Sequence, residues 1–422
     1  MNNKYRCDAL PRYYALGLIA SALLLSYGCS VESKTVTTKD AQTETPKTVS
    51  LAGTSSTTES SKISIDIAKA VFTSAESRDV SAGATPAIVV DNDSGDIDVI
   101  AGEGSDVTVV ATKHAATSAD LAKLVVLVDY TGGEVHVHLQ RPTPEVDNLY
   151  ADFKIAAPVG ASVQASTDSG NVIVSGFSGV VTASSSNGNV KIDHLTAKST
   201  AHTDSGNVTV SQVASTNADS NNGDVSAEDA SGDIDLRSDS GDITVRDSRG
   251  TLAARNSNGD ITAINFFGPV SAHTDSGKVT INGGTDAVDI SSSNGDLKVS
   301  GGSRSGAAVK AATDSGSVEI DSDMASFDAK SSNGDVRVTG LPAPSAPSSA
   351  QSDSGTVEVT LPRKSNFNVT AQTDSGSIDT DFGLPVTREA GGAGASMSGS
   401  VGSGGPTVTL RDSNGDIKLN AK

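Results

Sequence analysis

Large aromatic side chains are nearly absent from this sequence. The chain of 422 residues has no tryptophan, and only 3% of its residues are aromatic, whereas 42 are glycine. A single thick core is normally filled by large apolar side chains. The apolar residues here are mostly valine, isoleucine and alanine. This composition excludes a core built on aromatic rings and favours thin layers of β-structure.

Basic residues and cysteines are also scarce. The 31 lysines and arginines stand against 51 acidic residues, which gives a formal charge of −20. This balance argues against a nucleic-acid partner, whose phosphates require a basic patch, and against electrostatic docking on anionic lipid. The two cysteines are Cys7 and Cys29. Cleavage before Cys29 would leave a single cysteine, so we expect no internal disulfide.

The start of the chain predicts export. Residues 1–28 combine a basic beginning with an apolar stretch, Tyr14–Leu25, that is too short to span a bilayer. Gly28 and Cys29 resemble the lipobox of bacterial lipoproteins, although Ser26 replaces the usual leucine. That resemblance implies a lipid on Cys29 and an outer-membrane lipoprotein that faces the periplasm or the outside. Residues 29–62 are rich in serine and threonine and are predicted to be a disordered tether.

A short motif recurs through the rest of the chain. Its first clear copy is Asp168-Ser169-Gly170 followed by Asn171-Val172-Ile173-Val174, and its variant has Ser-Asn-Gly. Most motif glycines are 17, 18 or 21 residues apart, and a fixed period of this size predicts a β-solenoid. We expect these glycines to form structural turns: Gly170, Gly188, Gly206, Gly223, Gly241, Gly259, Gly277, Gly295, Gly316, Gly334, Gly355, Gly376 and Gly415.

Each repeat, called a rung below, is numbered from its glycine as position zero. Positions +2 and +4 are apolar, as in Val172 and Val174, and so are positions −7 and −5 before the next glycine, as in Val181 and Ala183. This alternation predicts two short strands per rung, each with two inward side chains, and a looser second turn. The array spans residues 166–422, and residues 63–165 are predicted to form an irregular β cap and the first rungs.

The C-terminal part departs from the regular period. Gly376 and Gly415 are 39 residues apart, which is 18 plus 21 and predicts a rung that has lost its motif. Residues 390–406 are rich in glycine and serine and predict a loop. Because a complete repeat ends three residues before Lys422, we expect a poorly capped end that permits end-to-end self-association.

The two motif forms alternate along the chain, and the acidic residue changes sides of the glycine between them. This alternation separates like charges, and it breaks at Asp353 and Asp374, which both belong to the Asp-Ser-Gly form. Calcium binding by these carboxylates stays open as an alternative, although the nine-residue repeat of calcium-loaded β-rolls is absent.

No constellation of catalytic or metal-ligating residues is recognisable. His136 and His138 share one face of a strand, which we interpret as a solvated face. His202 and His273 hold equivalent positions four rungs apart, too far to act together. Phe266 and Phe267 are interpreted as a plug for the looser turn. We therefore predict no catalytic residue, no metal, no cofactor and no enzymatic activity.

The exported start and the Asp-Ser-Gly-Asn-Val-Ile-Val type of repeat resemble an adhesin-like family of bacterial β-strand-repeat proteins that is largely of unknown function. The resemblance covers about residues 63–422. It implies a structural or adhesive scaffold with an unknown protein or glycan partner and membrane attachment through the lipid. The alternative is a glycan-binding or glycan-cleaving β-helix.

Overall fold

The structure is a computed structural model that describes residues 62–66, 71–144, 146, 148–284, 286–302, 307–340, 344–389, 391 and 393–422. All of them belong to one unit, Ser56–Lys422. The predicted signal peptide, Cys29 and the tether up to residue 61 lie outside the described residues.

The described residues are almost entirely β-structure, with one short helix, α1 (Ser118–Leu121). The strands that precede the regular array are β1 (Lys62–Asp66), β2 (Val71–Ser81), β3 (Ala87–Ser94), β4 (Ile97–Gly102), β5 (Asp106–Ala115), β6 (Val125–Thr131), β7 (Glu134–Gln140) and β8 (Tyr150–Pro158). The array begins with β9 (Ser162–Ser169), β10 (Val172–Ser175), β11 (Val181–Asn187), β12 (Val190–Ser205), β13 (Val208–Asn222), β14 (Val225–Glu228), β15 (Asp233–Ser240), β16 (Ile243–Arg246), β17 (Thr251–Asn258), β18 (Ile261–Ile264), β19 (Val270–Ser276) and β20 (Val279–Asn282). It continues with β21 (Val288–Asn294), β22 (Leu297–Gly302), β23 (Ala308–Ser315), β24 (Val318–Asp323), β25 (Ser326–Asn333), β26 (Val336–Gly340), β27 (Ser348–Ser354), β28 (Val357–Leu361), β29 (Phe367–Thr373), β30 (Ile378–Thr380), β31 (Val386–Arg388), β32 (Ala395–Val401), β33 (Thr407–Asp412) and β34 (Ile417–Ala421).

Parallel strands stack into two sheets. Sheet A holds the strands that follow the motif glycines, and sheet B holds the strands that precede them. Val172 pairs with Val190 in sheet A, and Val181 pairs with Val163 in sheet B, so equivalent positions of successive rungs lie side by side. The predicted all-β solenoid of about 18 residues per rung is therefore confirmed.

The space between the sheets is filled by the apolar positions of the repeat. Val208 and Val210 at +2 and +4, and Leu252 and Ala254 at −7 and −5, are all fully buried. Sheet B also has a third inward column, at position −3, where Ser185 is 2% exposed. The prediction of two inward side chains per strand is wrong for this sheet. It missed the third column because serine and threonine next to a turn resemble surface residues.

At the N-terminal end, the order of rungs in space differs from their order in the sequence. Strands β3 and β4 form a rung that lies between the rung of β7 and β8 and the rung of β9 and β10. Antiparallel strands then cover the outermost rung, with β6 on β7 and β5 on β8. Strand β2 adds to β5, and β1 adds to β2. A small second core of Leu121, Leu124 and Leu149 lies beside α1.

The C-terminal end repeats this arrangement. Strands β33 and β34, the last in the sequence, lie between the rung of β27 and β28 and the rung of β29 and β30. Strand β32 covers β29 in antiparallel orientation, and β31 adds to β32.

Three expectations about this end are consequently wrong. In the described residues between Gly376 and Gly415, the antiparallel pair β31 and β32 stands in place of the expected extra rung. The predicted loop at 390–406 contains β32, whose Ala395 and Met397 are each 2% exposed. The complete repeat near Lys422 is enclosed between neighbouring rungs and does not form the end of the stack, because the preceding segment extends beyond it and returns.

Among the described residues, no helix is both long and apolar enough to cross a membrane.

Candidate functional site

The motif glycines lie in one column, at the corner where the chain passes from sheet B to sheet A. A methyl carbon added to Gly206, whose φ is 151°, would lie 2.2 Å from the carbonyl oxygen of Gly188. The same close approach links each corner to the next. Successive corners therefore leave no room for a side chain, and the motif glycines act in the architecture of the stack.

A column of buried donors runs beside the glycines, at position −3. Ser185 Oγ donates a hydrogen bond of 2.8 Å to the carbonyl oxygen of Gly170, and Thr203 Oγ1 donates one of 2.8 Å to that of Gly188. The equivalent donors in other rungs are Thr167, Ser220, Ser238, Asn256, Thr274, Ser292, Thr313, Ser331, Ser352 and Thr373. These bonds satisfy corner carbonyls inside the stack, where an unpaired polar group would be costly. Asp412 occupies this position in the rung of β33 and β34.

The acidic and amide side chains of the motif bond the backbone of the adjacent rung. Asp224 Oδ1 at position +1 accepts the N–H of Asp242 at 2.9 Å. Asn222 at position −1 donates through Nδ2 to the carbonyl oxygen of Asp204 at 3.2 Å. At Asp416, hydrogen bonds from the backbone N–H and hydroxyl of Ser377 lower the pKa of the carboxyl group. These contacts explain why the corner favours Asp and Asn.

The two motif forms alternate without interruption in space from Gly170 onward. The Asn-type rung of Gly415 lies between the Asp-type rungs of Gly355 and Gly376. Asn414 Nδ2 donates to the carbonyl oxygen of Asp353 at 3.3 Å, as Asn222 does to Asp204. The break predicted between Asp353 and Asp374 is thus a property of the sequence order and is absent from the stack.

The second turn of the rung contains a residue in the left-handed conformation, at position +6. Gly176 has a φ of 88°, and His194 and Gln212 have φ values of 55° and 52°. Asp229, Asp247 and Asn265 adopt the same conformation. The side chain at +7 then points inward, as for Phe266, which is fully buried, whereas Phe267 is 52% exposed. The sequence predicted a looser second turn but did not reveal the left-handed residue at +6, because the residue type at this position varies from rung to rung.

The outer surface of sheet B carries a row of basic side chains in the middle of the stack. Arg237, Arg255 and His273 occupy position −4 of consecutive rungs. They border an open concavity of about 520 Å³ that also includes Asp239 and Asp275.

Contacts within this row restrain its members differently. Arg237 Nη2 lies 3.2 Å from Asp235 Oδ2, while Arg255 Nη1 lies 3.9 Å from the other oxygen of the same carboxylate. His273 Nδ1 lies 2.7 Å from Ser291 Oγ. Both arginine side chains are 56% exposed and can reach a partner on this surface.

The remaining histidines of the sequence analysis do not converge. His202 Nδ1 lies 2.5 Å from Asp219 Oδ2 on sheet B, and the ring is separated from His273 by the intervening rungs. His136 contacts Glu134, and its neighbour in sheet B is Val89. Within the described residues, no group of three or more histidine, cysteine or acidic side chains is arranged to hold a metal ion.

The repeat architecture agrees with a match to a protein-family model. The model of the Toastrack DUF4097 family matches residues 86–300 and 247–420. The chain belongs to this family. The two matched segments of the Toastrack chain overlap and together include both inserted rungs. No curated protein sequence matches the chain.

Three solved structures are similar to this chain. A candidate cell adhesion protein from Clostridium sporogenes is 8% identical, with 82% of this chain and 99% of that chain covered and a TM-score of 0.17. A candidate adhesin from Bacteroides fragilis is 12% identical, with coverage of 82% and 96% and a TM-score of 0.20. A candidate lipid-binding protein from Parabacteroides distasonis is 10% identical, with coverage of 82% and 96% and a TM-score of 0.18.

Proposed function

We propose that this Toastrack protein is an exported, lipid-anchored scaffold of the bacterial cell envelope that binds a partner without catalysis. The main support is the use of its polar side chains. In the array, serine, threonine, asparagine and aspartate side chains at positions −3, −1 and +1 form hydrogen bonds between rungs, as at Ser185, Asn222 and Asp224. Such residues hold adjacent rungs together. The side chains that point outward from the two sheets are then available for contact with a partner.

Export and anchoring rest on residues 1–29, where an apolar stretch ends before Gly28-Cys29. Mass spectrometry of the mature protein from membranes should find an acylated Cys29 as the first residue. An unmodified N-terminus elsewhere would remove the anchor from the proposal. Protease treatment of intact cells, followed by an antibody against the array, distinguishes surface display from a periplasmic position.

The basic row on sheet B is the proposed partner site, and it also favours the second candidate function, glycan binding. Arginine and histidine beside the carboxylates of Asp239 and Asp275 can hydrogen-bond the hydroxyl and carboxylate groups of a sugar chain. A polysaccharide would cross several rungs, because equivalent side chains repeat about every 4.8 Å along the sheet.

The test measures binding of the purified protein to beads coated with neutral or uronate-containing polysaccharides. Arg237→Ala combined with Arg255→Ala should weaken binding, whereas Lys310→Ala combined with Lys330→Ala, on the same sheet, should not. Equal binding by both double variants would move the partner site away from the basic row. Release of reducing ends from these polysaccharides would contradict the non-catalytic proposal.

A further inference from the structure

The rung of β33 and β34 carries a buried acidic side chain at a position where its neighbours have hydroxyl groups. Asp412 occupies the donor column at position −3 and is 4% exposed. The neighbouring rungs have Ser352 and Thr373 in this column, and their hydroxyl groups donate to the carbonyl oxygens of Gly334 and Gly415 at 2.9 Å and 2.8 Å. A carboxyl group therefore stands where the stack otherwise uses a hydrogen-bond donor.

The carboxyl group of Asp412 is placed as those hydroxyl groups are. A methyl carbon built on Gly415 would lie 3.1 Å from Asp412 Oδ2, and one built on Gly376 would lie 3.1 Å from Thr373 Oγ1. The methyl carbon built on Gly415 would also lie 1.7 Å from the carbonyl oxygen of Gly355, so this carbonyl group is in close contact with Gly415. Asp412 Oδ2 is thus directed toward the carbonyl group that the donor at position −3 bonds in neighbouring rungs.

Only a protonated carboxyl group can make that bond, because an ionised one has no hydrogen to donate. Among the described residues, neither buried oxygen of Asp412 has a hydrogen-bond partner. The ionised form would therefore place an unpaired charge against a carbonyl oxygen inside the stack, which is strongly unfavourable.

The charged groups around Asp412 are mainly acidic. Asp416 lies at the same corner, Asp353 and Asp374 belong to the rungs on either side, and Asp335 lies farther along the stack. The adjacent basic residue, Arg411, is exposed on the opposite face of the strand. Burial raises the pKa of Asp412 to about 6, and repulsion from Asp416, Asp353 and Asp335 adds to this. The nearby backbone N–H of Asn414, which donates to the carbonyl oxygen of Asp353 at 3.0 Å, opposes the rise.

We propose that Asp412 is a proton-controlled latch on the rung of β33 and β34. In its neutral form the side chain donates to the carbonyl oxygen of Gly355 and joins the donor column. Loss of the proton removes this bond and loosens the rung from β27 and β28. The inserted rung pairs with β27 and β28 on one side and with β29 and β30 on the other. Its loosening therefore also weakens the attachment of β29, β30 and the antiparallel strand β32.

The direction of the pH dependence follows from the raised pKa. The ordinary pKa of the side chain is 3.8, and the folded-state value is about 6. The latch contributes its full stabilisation below about pH 4, and this contribution is lost as the pH rises through about 6. A difference of about two pKa units corresponds to an increase of at most about 100-fold in the opening equilibrium of the rung between pH 4 and pH 7.5.

The test is hydrogen–deuterium exchange of the full-length protein between pH 4.5 and pH 7.5, corrected for the intrinsic pH dependence of exchange. In the wild type, protection of residues 407–421 should fall by about ten-fold or more across this range and should level off above about pH 6. Asp412→Asn supplies a permanent donor, as Asn256 does to Gly241 at 2.7 Å. Protection in this variant should stay high at pH 7.5. An identical pH profile in wild type and Asp412→Asn would overturn the proposal.

A reciprocal variant separates the latch from general effects of charge. Asn256→Asp places a carboxyl group in the same column of a central rung, and it should create a loss of protection in β15 and β17 as the pH rises. Asp353→Asn removes a nearby exposed charge and should reduce the pH-dependent fall in protection at β33 without abolishing it. If Asn256→Asp introduces no pH dependence while remaining folded, the donor-column explanation of Asp412 is wrong.

Discussion

The centre and the ends of the stack are built by different rules. In the centre, each rung lies beside its neighbours in the sequence, as the pairing of β15 with β13 and β17 shows. At each end, one rung is inserted between two rungs that are consecutive in the sequence. The inserted rung is that of β3 and β4, which precede both neighbours, at one end, and that of β33 and β34, which follow both neighbours, at the other. The centre can therefore gain or lose rungs locally, whereas each end depends on a distant segment of the chain.

The ends also differ from the centre in how their edges are covered. An uncovered sheet edge presents unpaired N–H and carbonyl groups to other chains. Here antiparallel strands cover the outermost parallel strands β7, β8 and β29. The array therefore repeats one simple unit, and in the described residues antiparallel pairing of strands occurs where that repetition stops.

The largest effect on stability is expected from the deletion of the inserted C-terminal rung. Removal of residues 407–422 takes away Val408, Leu410, Ile417 and Leu419, which are fully buried, and separates β27 from β29. Burial of each such side chain stabilises by about 1.5–3 kcal/mol, so the melting temperature of the C-terminal part should fall by about 10 °C or more. Circular dichroism and limited proteolysis measure the loss.

The matched control removes more of the chain but follows the period. Deletion of residues 242–277 removes two consecutive central rungs and joins Gly241 to Lys278, which preserves the alternation of Asp-type and Asn-type rungs. This variant should remain folded with a single thermal transition. If it unfolds as readily as the C-terminal deletion, the distinction between centre and ends fails.

An intermediate effect is expected at the glycine corner. Gly259→Ala would place a methyl group 2.2 Å from the carbonyl oxygen of Gly241, which forces adjacent rungs apart. We expect a loss of about 3 kcal/mol or more in the free energy of unfolding, measured by urea denaturation. Gly133→Ala near the N-terminal end, where nothing lies within 4 Å, should cost only about 1 kcal/mol through its positive φ.

The smallest effect concerns a single buried hydrogen bond. Thr274→Val keeps the shape of the side chain but leaves the carbonyl oxygen of Gly259 without the 3.1 Å bond that it accepts. The expected cost is about 1–3 kcal/mol in the free energy of unfolding. Thr262→Val, half-buried on the outer side of sheet A, should change it by less than about 0.5 kcal/mol. Equal costs at the two positions would mean that the donor column does not stabilise the stack.

The fold could be predicted because its inward apolar positions repeat with the motif. Val208 and Val210 follow their glycine at fixed distances, and these distances are set by strand geometry alone. The donor column at −3 was missed because Ser185 and Thr203 acquire their role only when another rung presents its carbonyl group. The same limit applies to the basic row, since Arg237, Arg255 and His273 become neighbours through stacking.

The inserted rungs were missed for a different reason. The distance of 39 residues from Gly376 to Gly415 equals the sum of two ordinary intervals, so a regular continuation was the simplest interpretation. The sequence did contain a signal, because Asp353 and Asp374 interrupt the alternation of motif forms. Placing Asn414 between them restores it and indicates insertion. Strand order in a solenoid therefore depends on compatibility between rungs as well as on succession in the chain.

The placement of β33 and β34 also constrains the time at which the protein can finish folding. A chain that emerges progressively, from the ribosome or across a membrane, exposes β27 to β30 before the segment that belongs between them. Strands β27 and β28 must either remain unpaired with β29 and β30 until then, or pair with them first and separate again. Residues 407–421 thus complete this part of the stack, and a chain arrested before residue 407 cannot assemble it.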